Sequence, residues 1–226
     1  LAGFAKKFNK KAPVFVVPNG VALEKFQITN NKLQTNSKLQ NPNQKTIITV
    51  SRLVKKNGVD ILIKAVKKLG IDNWELRIIG DGPEKKRLEK LAEKSGITDK
   101  TKFLGSVSNE EIPKYLAEAD VFVRPSRSEG LGTAFLEAMA AGVPVIGSPA
   151  GGIPDFLKNG ETGLICEKEN PEDLAEKIKS LLEDENLTIK IAENGRKLVE
   201  EKYNWDKIAQ EMKKVYEDIV NRHSGI

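Results

Sequence analysis

The sequence predicts an α/β fold: a parallel sheet with helices on both faces and extra helices at the C-terminus. Three observations predict it. From Thr46 onward, short apolar runs alternate with helical patterns, which is the mark of strand–helix–strand units with right-handed crossovers. The runs are rich in Val, Ile and Phe on both alternating positions, as strands covered from both sides require. After "LIC" at 164–166 the strand signal stops and only helical periodicity continues.

Taken in order, Leu1, Phe4, Phe8 and Ala12 fall at helical spacing, and "PVFVVPNG" reads as a strand closed by a Pro-Asn-Gly turn. Residues 27–45, rich in Asn, Gln, Lys and Thr, read as a linker or long loop. "TIITV" is then a strand, and Asp60 to Leu69 a helix. "ELRIIG" is the next strand, followed by a helix with Pro83 in its first turn and Gly96 at its end. "TKFLG" is a strand. "SNEEIPKYLAEA" is a helix opened by Ser108 or Asn109. "DVFVRPS" (strand), "TAFLEAMAAG" (helix) and "VPVIGS" (strand) complete another unit. "GGIPDFLKNGETG" is a turn with a brief helix, and "LIC" a last strand. Helices are expected from Pro171 to Glu183, Leu187 to Lys202 and Asp206 to Asn221. The corresponding units are 1–26, 27–45 (linker), 46–202 (the sheet domain) and 203–226 (helix and tail).

Composition removes several function classes. The 37 basic residues are interleaved with 32 acidic ones, so the net charge of +5 is no nucleic-acid footprint. A single cysteine, Cys166, allows no intrachain disulfide and points to a reducing, cytoplasmic setting. Cys166 sits in an apolar run and reads as core rather than nucleophile. No run of 18 apolar residues occurs. Lys6, Lys7, Lys10 and Lys11 beside Phe4 and Phe8 fit either peripheral contact with an anionic bilayer or an ordinary amphipathic helix, the plainer account. The one histidine, His223, lies in the C-terminal tail, which leaves no histidine base in the body of the chain. No Cys/His cluster or Asp-x-Asp pair offers a metal site, and no cofactor is expected.

In parallel sheets of this kind ligands bind beyond the carboxyl ends of strands. "RSEGLG" (127–132) stands there, and Gly130, Leu131, Gly132 and Thr133 straddle a helix amino terminus. Unpaired N–H groups and the helix dipole suit an anion such as a diphosphate, which the glycines let approach. Glu129 and Glu137, eight residues apart, would be repelled by phosphate, so they are expected to accept hydrogen bonds from neutral hydroxyls on either side of it. The plainer account makes Glu129 a helix cap and Glu137 a surface residue. Against it, Glu137 lies among Ala134, Phe135, Leu136, Ala138 and Met139, where a carboxylate needs a partner. After "TIITV", Arg52, Lys55 and Lys56 could neutralise an anionic leaving group, although Lys55 also fits a solvated basic loop. Gly80-Asp81-Gly82-Pro83 is better explained as a tight turn than as a binding loop. Gly105 could admit a nucleobase, with Val107 as its apolar wall.

Together, "VPNGV", "SRLVKKNGVDILIKA", "LRIIGDGPEKKRLE", "FLGSV", "ADVFVRPSRSEGLGTAFLEAMAAGVPVIGS", "GGIPDFLKNGETGLI" and "YNWDKIAQEM" resemble the donor-binding half of the retaining GT-B, group 1 (GT4-like) glycosyltransferases. The resemblance covers the chain from Pro13 onward and implies a Rossmann-like domain that holds a nucleoside-diphosphate sugar. It implies that Glu129 contacts the transferred sugar and Glu137 the ribose. The backbone of 130–132 would meet the diphosphate or sugar, Arg52 and Lys56 the departing diphosphate, and Gly105 and Val107 the base. The family's common Arg-x₄-Lys-Gly is altered here, because Asn57 precedes Gly58 and Lys56 stands one place early. Residues 1–26 resemble only the end of the family's acceptor domain, so the acceptor (a sugar, lipid or small molecule) and full activity are expected to need more than these residues. A non-catalytic sugar-nucleotide-binding module and a sugar-nucleotide epimerase remain as alternatives. A dinucleotide dehydrogenase is disfavoured, since no G-x-G-x-x-G follows a strand with an acid about 20 residues on.

Overall fold

The computed structural model describes residues 14–26 and 44–223. The expected N-terminal helix and most of the 27–45 linker lie outside the described residues. Six strands form one wholly parallel sheet: β1 (Lys45–Val50), β2 (Trp74–Ile79), β3 (Thr101–Gly105), β4 (Val121–Arg124), β5 (Val145–Gly147) and β6 (Leu164–Ile165). Their spatial order is β3-β2-β1-β4-β5-β6. The order runs outward in both directions from the β1–β4 pair, so the loops leaving those two strands part to opposite faces and open a crevice between them.

The two-residue period of the strands divides the core. Ile47, Leu76, Ile78, Val121, Val123 and Ile146 face one layer, and Ile48, Ile79, Phe122 and Val145 the other. The first layer is closed by α1 (Val59–Val66), α2 (Lys85–Lys94) and α6 (Pro171–Glu183), through Leu62, Leu88 and Ile178. The second is closed by α3 (Ile112–Ala117), α4 (Thr133–Ala140), α5 (Ile153–Phe156) and α7 (Glu185–Lys202), through Leu116, Phe135, Phe156 and Val199. Both faces of the sheet are therefore dry, which is why its strands carry apolar residues at successive positions. Val21 and Phe26 belong to the second layer, and Val21 donates its N–H to the Tyr203 carbonyl at 2.6 Å.

Local chemistry sets the helix ends, and several differ from the sequence expectation. Asn170 caps α6, accepting from the Glu172 and Asp173 N–H groups, each at 3.0 Å. Asp184 accepts from Leu187 N–H at 2.9 Å, so α7 opens at Glu185 and not at Leu187. The acidic run Glu183–Asp184–Glu185 is thus the join between two helices. The last helix, α8 (Trp205–His223), runs through His223, so helix rather than frayed tail reaches that residue. α3 begins at Ile112 and not at Ser108 or Asn109, because Pro113 lacks an N–H and fits only a first turn. Pro83 precedes α2 in a turn instead of opening it. No strand forms over 14–20. Phe15 and Val16 are exposed, and among the described residues no strand pairs with this run. Among the described residues no helix is long and apolar enough to cross a membrane.

Candidate functional site

The carboxyl ends of β1 and β4 carry the residues that the sequence marks for chemistry. β1 ends in Val50, and Arg52 follows with its side chain exposed. Asn57 fixes the Arg52 backbone by donating its side-chain amide to the Arg52 carbonyl at 2.7 Å. Asn57 is buried, so the residue that breaks the Arg-x₄-Lys-Gly pattern acts as the internal brace of this loop. Lys55–Asn57 forms one turn of 3₁₀-helix, and Lys55 and Lys56 are exposed on it.

A second brace is Arg127. Its N–H reaches the Lys56 carbonyl at 2.7 Å, and its guanidinium donates to the Lys55 carbonyl at 2.6 Å and to both Asp60 oxygens at 2.8 and 3.0 Å. It also pairs with Glu169. Asp60 is buried at the start of α1. Burial pushes its carboxyl up, but the hydrogen bonds and charge of Arg127, with Arg87 behind, outweigh this and hold it below its ordinary range. Arg127→Ala is expected to cost about 2 kcal/mol, since it strands a buried carboxylate. Because the folded carboxyl is the more acidic, this contribution is in place above pH 3.8 and is lost as pH falls below that value. The gap between the thermal melts of parent and variant should narrow in acid, leaving what the bond to the Lys55 carbonyl contributes; a gap that does not change with pH would exclude Asp60 as a cause.

Two cavities meet at Arg52. One, of about 520 Å³, is lined by Arg52, Lys55, Lys56, Asn57 and Arg124. The other, of about 410 Å³, lies over the ends of β1, β2 and β3 and takes in Arg52, Gly80, Asp81, Val107, Asn109 and Glu137. The structure thus brings Arg52, Val107 and Glu137 to one cleft, and Arg52 and Lys56 to its neighbour. Gly105 stands behind the second cavity, its carbonyl accepting from Gly80 N–H at 2.7 Å, while the adjacent Ser106 and Val107 line it. At Gly80 a Cβ would stand 1.9 Å from the Ser51 carbonyl oxygen, so this glycine serves the close approach of two loops.

Gly130 to Thr133 join the β4 loop to α4. No side chain caps α4, whose N-cap is Gly132, so Glu129 is not the cap that the plainer account makes it. Glu129 turns back instead. One carboxylate oxygen receives Arg124 and the Ser126 hydroxyl (3.3 Å), and the other receives Gly130 N–H at 3.0 Å. Glu137, one turn into α4, is half-buried and faces the cleft. Burial pushes its carboxyl above the ordinary range, opposed by the charges of Arg124 and Lys25. Cys166 is fully buried, and burial pushes its thiol up to about 12, as suits a core residue. Arg124, Arg127 and Asn57 escape a sequence reading, because Arg127 acts through partners on another strand end while Asn57 and Arg124 act through the turn of their own loops, onto Arg52 and Glu129. Their only signal is two arginines flanking Pro125-Ser126 within an otherwise apolar stretch. Among the described residues no three His, Cys, Asp or Glu side chains gather as metal ligands.

Residues 30–198 match the family model described as Glycosyl transferases group 1. The chain is 33% identical over 219 residues to the GDP-mannose-dependent alpha-(1-6)-phosphatidylinositol monomannoside mannosyltransferase of Mycobacterium tuberculosis, covering 92% of this chain and 57% of that protein. It therefore spans little more than half the length of that relative. Among solved structures it is similar to Anabaena HepE in complex with UDP and glucose (TM-score 0.81, 25% identity, 90% of this chain and 57% of that one). It is also similar to the C-terminal domain of a group 1 family glycosyl transferase from Francisella tularensis (TM-score 0.73, 30% identity, 82% of this chain and 99% of that one).

Proposed function

The chain belongs to the group 1 glycosyltransferases, and from that premise we propose that it holds a nucleoside-diphosphate sugar whose glycosyl group passes to an acceptor with retention of configuration. The observation that carries the reading is the pair of cavities sharing Arg52 beyond the carboxyl ends of the strands, one rimmed by cations and the other by Glu137. A diphosphate is the group that suits fixed cations and an uncapped helix start at once. Neutral hydroxyls suit a half-buried carboxylate beside it. In this reading Glu137 accepts from the ribose, Glu129 from the transferred sugar, and the backbone of 130–133 faces the diphosphate. Arg52 and Lys56 stabilise the leaving diphosphate, and Val107 with the Gly105 loop flanks the base. The M. tuberculosis relative is named for GDP-mannose and the Anabaena structure holds UDP and glucose, so the ligand class is supported while the base stays open.

A thermal-shift panel of UDP-, GDP- and ADP-sugars tests this. At about 100 times Kd a ligand of the folded state adds roughly 2.7 kcal/mol, or about 5–10 °C for a domain of this size. No shift with any of them would sink the proposal. Glu137→Gln should abolish most of the shift and raise the unliganded Tm at pH 7. The sign follows from the raised carboxyl: its ionisation costs stability as pH rises through the folded value, so the gain should vanish below pH 4.5. By themselves these residues are proposed to bind donor but transfer sugar slowly or not at all, since transfer needs both reactants held together. Robust turnover in a linked-enzyme assay would refute that. Retention is read from the anomeric proton of the product by NMR.

A further inference from the structure

Arg124 closes β4 at the centre of the site, yet nothing in the motif assigns it a role. Its side chain is 11% exposed and that of Glu129 9%, so the pair is buried together. Besides Glu129 it reaches Asn57 Oδ1 at 3.5 Å, and it stands over the Phe135 ring at 6.0 Å. Its Nε is buried without an acceptor. A cation in that setting is held by its partner, and here one nitrogen, Nη2, donates to Glu129 Oε2 and ties that end of the carboxylate down.

The lone pairs of Glu129 can be counted. An ionised carboxylate accepts at about four positions. Arg124 and Ser126 occupy both positions on Oε2, and Gly130 N–H takes one on Oε1. One position on Oε1 remains, beside the glycine turn. Resting on the donor-site reading above, we propose that Arg124 is a positioning residue for sugar recognition: by saturating Oε2 with Ser126 it presents Oε1 of Glu129 to a hydroxyl of the transferred sugar. Arg124 also lines the cation-rimmed cavity, so its removal should weaken the sugar contact through Glu129 on top of any loss that nucleotide and sugar nucleotide share.

Calorimetric titration of this chain with UDP and UDP-glucose, and with GDP and GDP-mannose, separates the two. Arg124→Met is expected to lower affinity for the sugar nucleotide about tenfold more than for the nucleoside diphosphate, the worth of one hydrogen bond to a charged group. Arg124→Lys keeps the charge but moves the donor from the Nη2 position, and should lose about threefold in the same selective way. Adding Arg124→Met to Glu129→Gln should cost no further selectivity. If Arg124→Met fails to fold, judged by its circular-dichroism melt, Arg124→Lys carries the test. Equal losses for diphosphate and sugar nucleotide, or an unchanged ratio in the folded variants, overturn the inference and leave the donor site standing. Failure of the parent chain to bind either pair overturns the donor-site reading, and this inference with it.

Discussion

Arg52→Ala is expected to lower turnover of the sugar-transferring protein on the order of 10²–10³-fold, the usual loss when one charge at a developing anion is removed. The geometry singles Arg52 out from the other arginines of the site. Arg127 is spent on Asp60 and Glu169, and Arg124 on Glu129. Arg52 is exposed, lines both cavities, and has its backbone anchored by Asn57 while its guanidinium faces the crevice. With its backbone anchored, Arg52 stands beside the two cavities where the proposed diphosphate would gain charge as it departs. The same variant should fold normally, because an exposed side chain contributes little to stability. Steady-state kinetics checks the claim. An unchanged rate would remove Arg52 from the mechanism, and a fall in Tm by more than a few degrees would assign it a structural task instead.

Gly151→Ala should have the largest effect on folding, about 4 kcal/mol or roughly 8–16 °C in Tm. Gly151 has φ +57°, and a Cβ there would stand 1.7 Å from the Glu129 carbonyl oxygen and 2.7 Å from its carbon. Backbone cannot yield as a side-chain tip can, so the Glu129 loop must move, and with it the 2.8 Å bond from Gly152 N–H to the Gly130 carbonyl. Gly160 provides the control. Its φ is +73° with nothing within 4 Å, so Gly160→Ala carries only the left-handed backbone penalty of about 1–2 kcal/mol. Equal losses for the two variants would show that the contact with the Glu129 loop is unimportant. In any folded Gly151→Ala population, sugar-nucleotide affinity should fall as well, since Glu129 and Gly130 belong to the displaced loop.

Most of the fold was legible because its signals are local. The strand "TIITV" and the helix beginning at Asp60 announce themselves by period, and the structure moves their ends by a few residues at most. The misread segments are those where a period lacked its partner. "VFVVPNG" has the pattern of a strand but no ladder to join among the described residues, and the start of α3 was decided by a proline inside the pattern. Within the site, Glu137 was legible because an acid in an apolar helix is anomalous in one dimension. The turn-back of Glu129 onto Arg124 was not, since both readings of the sequence pointed its carboxylate elsewhere, toward a helix end or a ligand.

The sequence by itself determined the alternation of strand and helix, the dryness of both sheet faces, and the placing of acids and glycines just past a strand end. These follow from spacing along the chain, which composition and period record directly. Only the tertiary structure decided that Arg52 is shared by two cavities, that Asn57 and Arg127 brace the basic loop, and that Arg124 is the counter-charge of Glu129. The Arg127 brace depends on which strand ends become neighbours, and the pairing of β1 with β4 brings together loops about seventy residues apart in sequence, whereas Asn57 and Arg124 meet Arg52 and Glu129 through the turn of their own loops. Burial then turns proximity into obligation, because a charge removed from water must find its opposite wherever the fold has put it.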